Sequence, residues 1–157
     1  YNFQLYAAHF AEDKEKYGFL DLAYIPKNFY YMFIHIPTPS LNFPYLNFDN
    51  EGNTVIFTSP LFIILLLIIR KKYWQDKISK LINSICLISS SALIFILLLF
   101  WGTGWVQFGY RYFLDVIPFI VILLSKVIAD VPWKFTLSLL IASILINLSG
   151  TIWFLGL

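Results

Sequence analysis

Residues 92–101 run Ala-Leu-Ile-Phe-Ile-Leu-Leu-Leu-Phe-Trp, ten positions without a charged, amide or hydroxyl side chain. The run lies inside a longer apolar stretch, 78–101, and three more stretches, 55–69, 112–129 and 135–157, share its character. Crossing about 30 Å of hydrocarbon takes roughly 20 apolar residues in a helix. A helix pairs its own backbone N–H and C=O groups, which lipid cannot do for it. The four stretches therefore predict four helical spans. The shortest, 55–69, gains length from snorkelling Arg70, Lys71 and Lys72, with Tyr73 and Trp74 at headgroup level. Pro118 falls in the first two turns of 112–129, where a missing N–H costs least. The Ser89-Ser90-Ser91 cluster suits helix–helix packing better than lipid contact.

Composition agrees. Charged residues make up 13% of the 157 and hydrophobic ones 59%, with mean hydropathy +0.74, whereas a soluble domain carries about 25% charged residues. A disordered tail, a collagen-like chain, a disulfide scaffold and a water-soluble enzyme are excluded. A net charge of +2 is too even to suggest nucleic acid, and the lone Cys86 allows no intrachain disulfide. The fold class expected is an all-α polytopic membrane protein. Residues 54–157 form its transmembrane domain and residues 1–53 an extracytoplasmic segment. The chain opens at Tyr1 in mid-pattern, which is expected of the C-terminal part of a longer protein whose N-terminal remainder is a partner.

Charge sets the orientation. The loop 70–80 holds Arg70, Lys71, Lys72, Lys77 and Lys80 against a lone Asp76, so the positive-inside rule places it in the cytoplasm of a multi-pass cell-membrane protein. Alternation then puts 102–111 outside, 126–134 inside and the C-terminus outside. The first 53 residues also fall outside, and there Glu12, Asp13, Glu15, Asp21, Asp49 and Glu51 outnumber Lys14, Lys16 and Lys27.

The outer segment has its own pattern. Phe3, Tyr6, Phe10 and Tyr17 recur near helical spacing, and Gly18 marks a stop. Between Pro26 and Pro37, the residues Phe29, Met32, Phe33 and Ile36 fall on one helical face, too short to span and rich in aromatics. An interfacial helix is expected there. Pro37, Pro39, Pro44, Asp49, Asn50, Gly52 and Asn53 then predict an irregular stretch rich in turns.

The outer loop 102–115 carries the densest chemistry: three glycines, Gln107, Tyr110, Arg111 and Asp115. Arg111 and Asp115, four apart, would share a helix face. One reading is an aromatic belt with an interfacial ion pair. The other is an anion site, because a guanidinium fork matches two phosphate oxygens at once. Gly102-Thr103-Gly104 alone is no phosphate loop, lacking the lysine and the strand-to-helix context.

Other groups point nowhere special. His9 and His35 lack partners at metal-ligand spacing, and no metal or catalytic residue is assigned. Glu12, Asp13 and Glu15 interleave with Lys14 and Lys16 as a solvated helix face does. Asn147-Leu148-Ser149 matches a glycosylation sequon inside a span, and Asp130 with Lys134 reads as a turn pair.

Gln107-Phe108-Gly109-Tyr110-Arg111-Tyr112, with Asp115 and Pro118, resembles a late segment of GT-C class membrane glycosyltransferase-like proteins, relatives of the protein O-mannosyltransferases. Tyr24 to Tyr31, Phe43-Pro44 and Thr58-Ser59-Pro60 resemble the outer loop that precedes it. The resemblance implies transfer of a sugar from a polyprenyl-phosphate carrier to an acceptor on the outer face, with the span helices and interfacial aromatics gripping the prenyl tail in the lipid bilayer. It implies that Arg111 binds the carrier phosphate, that Gln107 and Tyr110 orient it, and that Asp115 holds Arg111. The family's catalytic carboxylate lies in its first outer loop, and nothing here matches that motif. The rival reading is a non-enzymatic membrane module such as a transporter or glycan-export subunit. A transporter shows ionisable residues near the bilayer midplane, and the spans carry only Ser and Asn there.

Overall fold

A computed structural model describes residues 12, 14–43, 45–103 and 107–156. Among the described residues the chain is predominantly helical, with one two-stranded hairpin. A 3₁₀ turn, Leu22–Tyr24, leads into helix α1, Ile25–Phe29, which continues as a π turn, Tyr30–Ile34. Strands β1, Thr38–Pro39, and β2, Leu46–Asn47, pair antiparallel with Thr38 opposite Asn47. Helix α2, Val55–Thr58, is followed by a 3₁₀ segment, Pro60–Ile69, and a 3₁₀ turn, Lys71–Trp74. Helix α3, Lys77–Leu99, and helix α5, Trp133–Leu155, are the two long elements. Between them lies α4, Ile117–Val127, flanked by the 3₁₀ turns Arg111–Asp115 and Ile128–Asp130.

Local chemistry fixes several boundaries. Asp21 accepts from the Ala23 N–H at 2.8 Å and starts the first turn. Asp76 accepts from the Ser79 N–H at 2.8 Å and caps α3, which holds its exposed carboxyl below the usual carboxylate range. Pro26, Pro60 and Pro118 all occupy first-turn positions of their helices. Gly18 and Gly156 close helical turns at φ +78° and +68°, where a side chain would be strained.

Helix α4 is central. It packs against α3 on one side and Pro60–Ile69 on the other, and α5 lies against Pro60–Ile69 and α2. One core cluster, Met32, Val55, Tyr110, Phe113, Val116 and Ile120, fills the end near α1. A second, Ile64, Ile68, Cys86, Leu123, Leu124 and Val127, fills the other end. Helices α3 and α5, at 23 residues each, are long and apolar enough to cross a membrane. Both leave apolar side chains exposed: Ile85, Ile88, Phe95 and Ile96 on α3, and Ile141, Ile144, Leu145 and Leu148 on α5. Lys72 forms an ion pair with Asp130, so the segments 70–76 and 128–134 lie at the same end of the helices.

Three expectations change. The stretch 55–69 is not one α-helix: it breaks at Ser59, whose φ −136° and ψ 70° lie outside the helical region. The cause is Pro60, whose ring disfavours helical backbone at the residue before it. The stretch 112–129 is likewise a composite of a 3₁₀ turn and an 11-residue α-helix. The face from Phe29 to Ile36 is turned: Asn28 and Met32 point inward, while Phe29 and Ile36 are exposed. The expected helical pattern of Phe3, Tyr6 and Phe10, and the residues His9 and Asp13, lie outside the described residues.

Candidate functional site

Two segments far apart in sequence, 49–54 and 107–111, come together with Thr103 where α3 ends and α4 begins. The Gln107 N–H donates to the Asn50 carbonyl at 3.1 Å, and Asn53 Nδ2 donates to the Phe108 carbonyl at 2.6 Å. Gly52 permits the approach twice over. Its φ is +107°, and a Cβ there would lie 2.9 Å from Gln107 Nε2.

Glu51 sits at the junction, with a side chain only 10% exposed. Its carboxylate takes a charge-assisted bond from Lys27 Nζ at 2.9 Å and a hydrogen bond from the Thr103 hydroxyl. A buried carboxylate without such donors would be strongly destabilising. Gln107 extends the network. Its Nε2 donates to the carbonyls of Glu51 at 2.9 Å and Thr103 at 2.7 Å, and its Oε1 accepts from the Arg111 N–H at 3.0 Å. Both hydrogens of that amide are therefore used within the protein.

Beside this network lies a cavity of about 450 Å³, within the 300–1,000 Å³ range of small-molecule sites. Val55, Phe62, Phe113, Leu114, Ile117 and Phe154 give it apolar walls, and Gln107, Tyr110 and Arg111 line it as well. Arg111 is exposed, and its guanidinium carbon lies 5.4 Å from the Tyr112 ring centroid, a cation–π distance. Asn147 spends both amide hydrogens on the wall, bonding the Thr58 carbonyl at 2.8 Å and the Ser143 carbonyl at 2.7 Å. Phe108 closes the α5 side, its ring tight against Gly150.

A second polar group flanks Glu51. Burial, then the charges of Asp49 and Glu51, push the Tyr31 phenol up to about 12. Burial also pushes the Tyr110 phenol up, with Tyr112 and Glu51 adding to it. His35 stacks against Tyr30 and Tyr31, and its Nε2 lies 3.9 Å from Asp49. Among the described residues no group of three His, Cys, Asp or Glu side chains is placed to hold a metal ion.

Of the four residues singled out in the sequence, Gln107, Tyr110 and Arg111 meet on one cavity and Asp115 does not. Arg111 and Asp115 sit in a 3₁₀ turn, where residues four apart point about 120° from each other. No ion pair joins them among the described residues. Tyr110 is 4% exposed and its hydroxyl has no partner among the described residues. Glu51, Asn53 and Thr103 are the polar residues that sequence reasoning missed. The only signal was Glu51 beside a glycine in an otherwise polar turn. Gly104, Trp105 and Val106 of the same loop lie outside the described residues. No protein-family model, no curated protein and no solved structure matches the chain.

Proposed function

We propose that this chain is the membrane-embedded C-terminal part of a glycosyltransferase that moves a sugar from a polyprenyl-phosphate carrier to an acceptor at the outer face of a cell membrane. One observation carries the reading: an arginine stands exposed on the rim of a cavity whose walls are largely apolar. A prenyl phosphate has that same division, one anionic end and one hydrocarbon end. Because the Gln107 amide is committed inside the protein, the phosphate contact falls to Arg111. Its planar fork pairs two phosphate oxygens and stabilises the negative charge that grows as the carrier leaves. The acceptor hydroxyl displaces the carrier directly, and a carboxylate outside this chain takes its proton.

Element lengths support this bilayer placement. At about 1.5 Å per residue α3 and α5 each reach about 34 Å. Pro60–Ile69, as a 3₁₀ segment of 10 residues, reaches about 20 Å at 2.0 Å per residue. With α2 before it, this strand of the bundle comes close to crossing. The composite 111–130 reaches about 32 Å on the same rises. Four passes put the basic end, with Arg70, Lys71 and Lys72, in the cytoplasm and the cavity rim outside.

The test is direct binding. The full-length protein in nanodiscs should bind undecaprenyl phosphate saturably and prefer it to undecaprenol, the same chain without the phosphate. Equal affinity for the two lipids, or none for either, would overturn the reading.

A further inference from the structure

We infer that Glu51 is a positioning residue for the phosphate site, fixing through Thr103 and Gln107 the backbone from which Arg111 projects; this rests on the reading of Arg111 given above. Glu51 lies outside the cavity lining, so it does not touch the carrier. It reaches the site by a chain of three bonded steps. The carboxylate takes the Thr103 hydroxyl. The Thr103 and Glu51 carbonyls together take both hydrogens of the Gln107 amide, at 2.7 and 2.9 Å. The oxygen of that amide takes the Arg111 N–H at 3.0 Å. Each step leaves no spare donor on Gln107, so the amide has one orientation.

The pairing of Glu51 with Lys27 explains how a carboxylate can be buried there, because one ion offsets the desolvation of the other. An apolar pair of the same size would fill that space equally well. It would not hold Thr103. The carboxylate therefore contributes geometry, and geometry is what a two-pronged phosphate contact demands. A lysine or a loosely held arginine would still supply charge, but not the aligned fork.

Three variants of the full-length protein test this, each measured with undecaprenyl phosphate and with undecaprenol. Thr103→Val keeps the side-chain volume and leaves the Lys27–Glu51 pair in place, so it removes only the link. It should weaken undecaprenyl phosphate binding about tenfold, the effect of about 1.4 kcal/mol, and leave undecaprenol binding within about twofold. Thr103→Ser, which keeps the hydroxyl, should bind as wild type. The double variant Lys27→Met/Glu51→Leu, which replaces the ion pair with apolar residues, should show the same phosphate-selective loss as Thr103→Val. Unchanged phosphate binding in Thr103→Val overturns the role. So does a parallel loss for both lipids that tracks the melting temperature, which is the mark of a purely structural bond. A wild-type protein that fails to prefer the phosphate overturns the phosphate site itself, and the role falls with it.

Discussion

The ring of Phe108 packs directly on the backbone of Gly150, leaving no room for a Cβ on that glycine. The contact joins the loop that carries Arg111 to the middle of α5's last turns. Phe48 extends it, with its ring centroid 5.7 Å from Phe108 and 5.6 Å from Trp153. Gly150→Ala should therefore destabilise the protein by about 1–3 kcal/mol, the usual effect of overpacking. Thermal unfolding in detergent measures it. Phe108→Leu in the same chain should recover part of the loss, and an Ala variant as stable as wild type would mean that the ring moves aside freely.

Asn28 ties α1 to the end of α3. Its Nδ2 lies 2.7 Å from the Phe100 carbonyl, 3.0 Å from that of Leu98 and 3.3 Å from that of Leu97, and the residue is 1% exposed. The Leu97 and Leu98 carbonyls lie in the last turn of α3 and that of Phe100 just past its end, where a helix leaves carbonyls short of N–H partners. Asn28→Ala should cost about 1–3 kcal/mol in the same unfolding measurement. Asn28→Asp should cost more, because it turns a donor into an anion facing carbonyl oxygens. Equal stability of the Asp variant and wild type would contradict that geometry.

Orientation is open to labelling in intact cells. Leu41 is 98% exposed at the hairpin and Lys77 is exposed at the basic end. With Cys86 replaced by Ala, a Leu41→Cys variant should react with an impermeant thiol reagent and a Lys77→Cys variant should not. The opposite pattern would invert the whole arrangement.

Much of this was legible in the residues. The stretches 78–101 and 135–157 declare themselves by length and apolarity alone, and the helices Lys77–Leu99 and Trp133–Leu155 nearly coincide with them. Proline placed several starts because its missing N–H is harmless only there. What was hidden depends on partners far along the chain. Glu51 meets Thr103 across 52 residues and Asn28 meets Phe100 across 72, and no local pattern announces either pairing. Glu51 and Asn53, among turn-forming neighbours, resemble solvated residues until the second segment buries them. Arg111 and Asp115 mislead for a different reason. Four-residue spacing implies a shared face at about 100° per residue, and the turn there winds at about 120°.

Arg111→Lys, made in the full-length protein, is the decisive variant for the carrier-phosphate site. Lysine snorkels at a helix mouth as readily as arginine, so expression and membrane insertion should be unchanged. The bidentate phosphate contact should be lost. A charge-assisted hydrogen bond is worth about 1.5–3 kcal/mol, so the dissociation constant for undecaprenyl phosphate should rise roughly 10- to 150-fold. A lysine variant that is correctly inserted and binds undecaprenyl phosphate as tightly as wild type would contradict the assignment of Arg111 as the carrier-phosphate ligand.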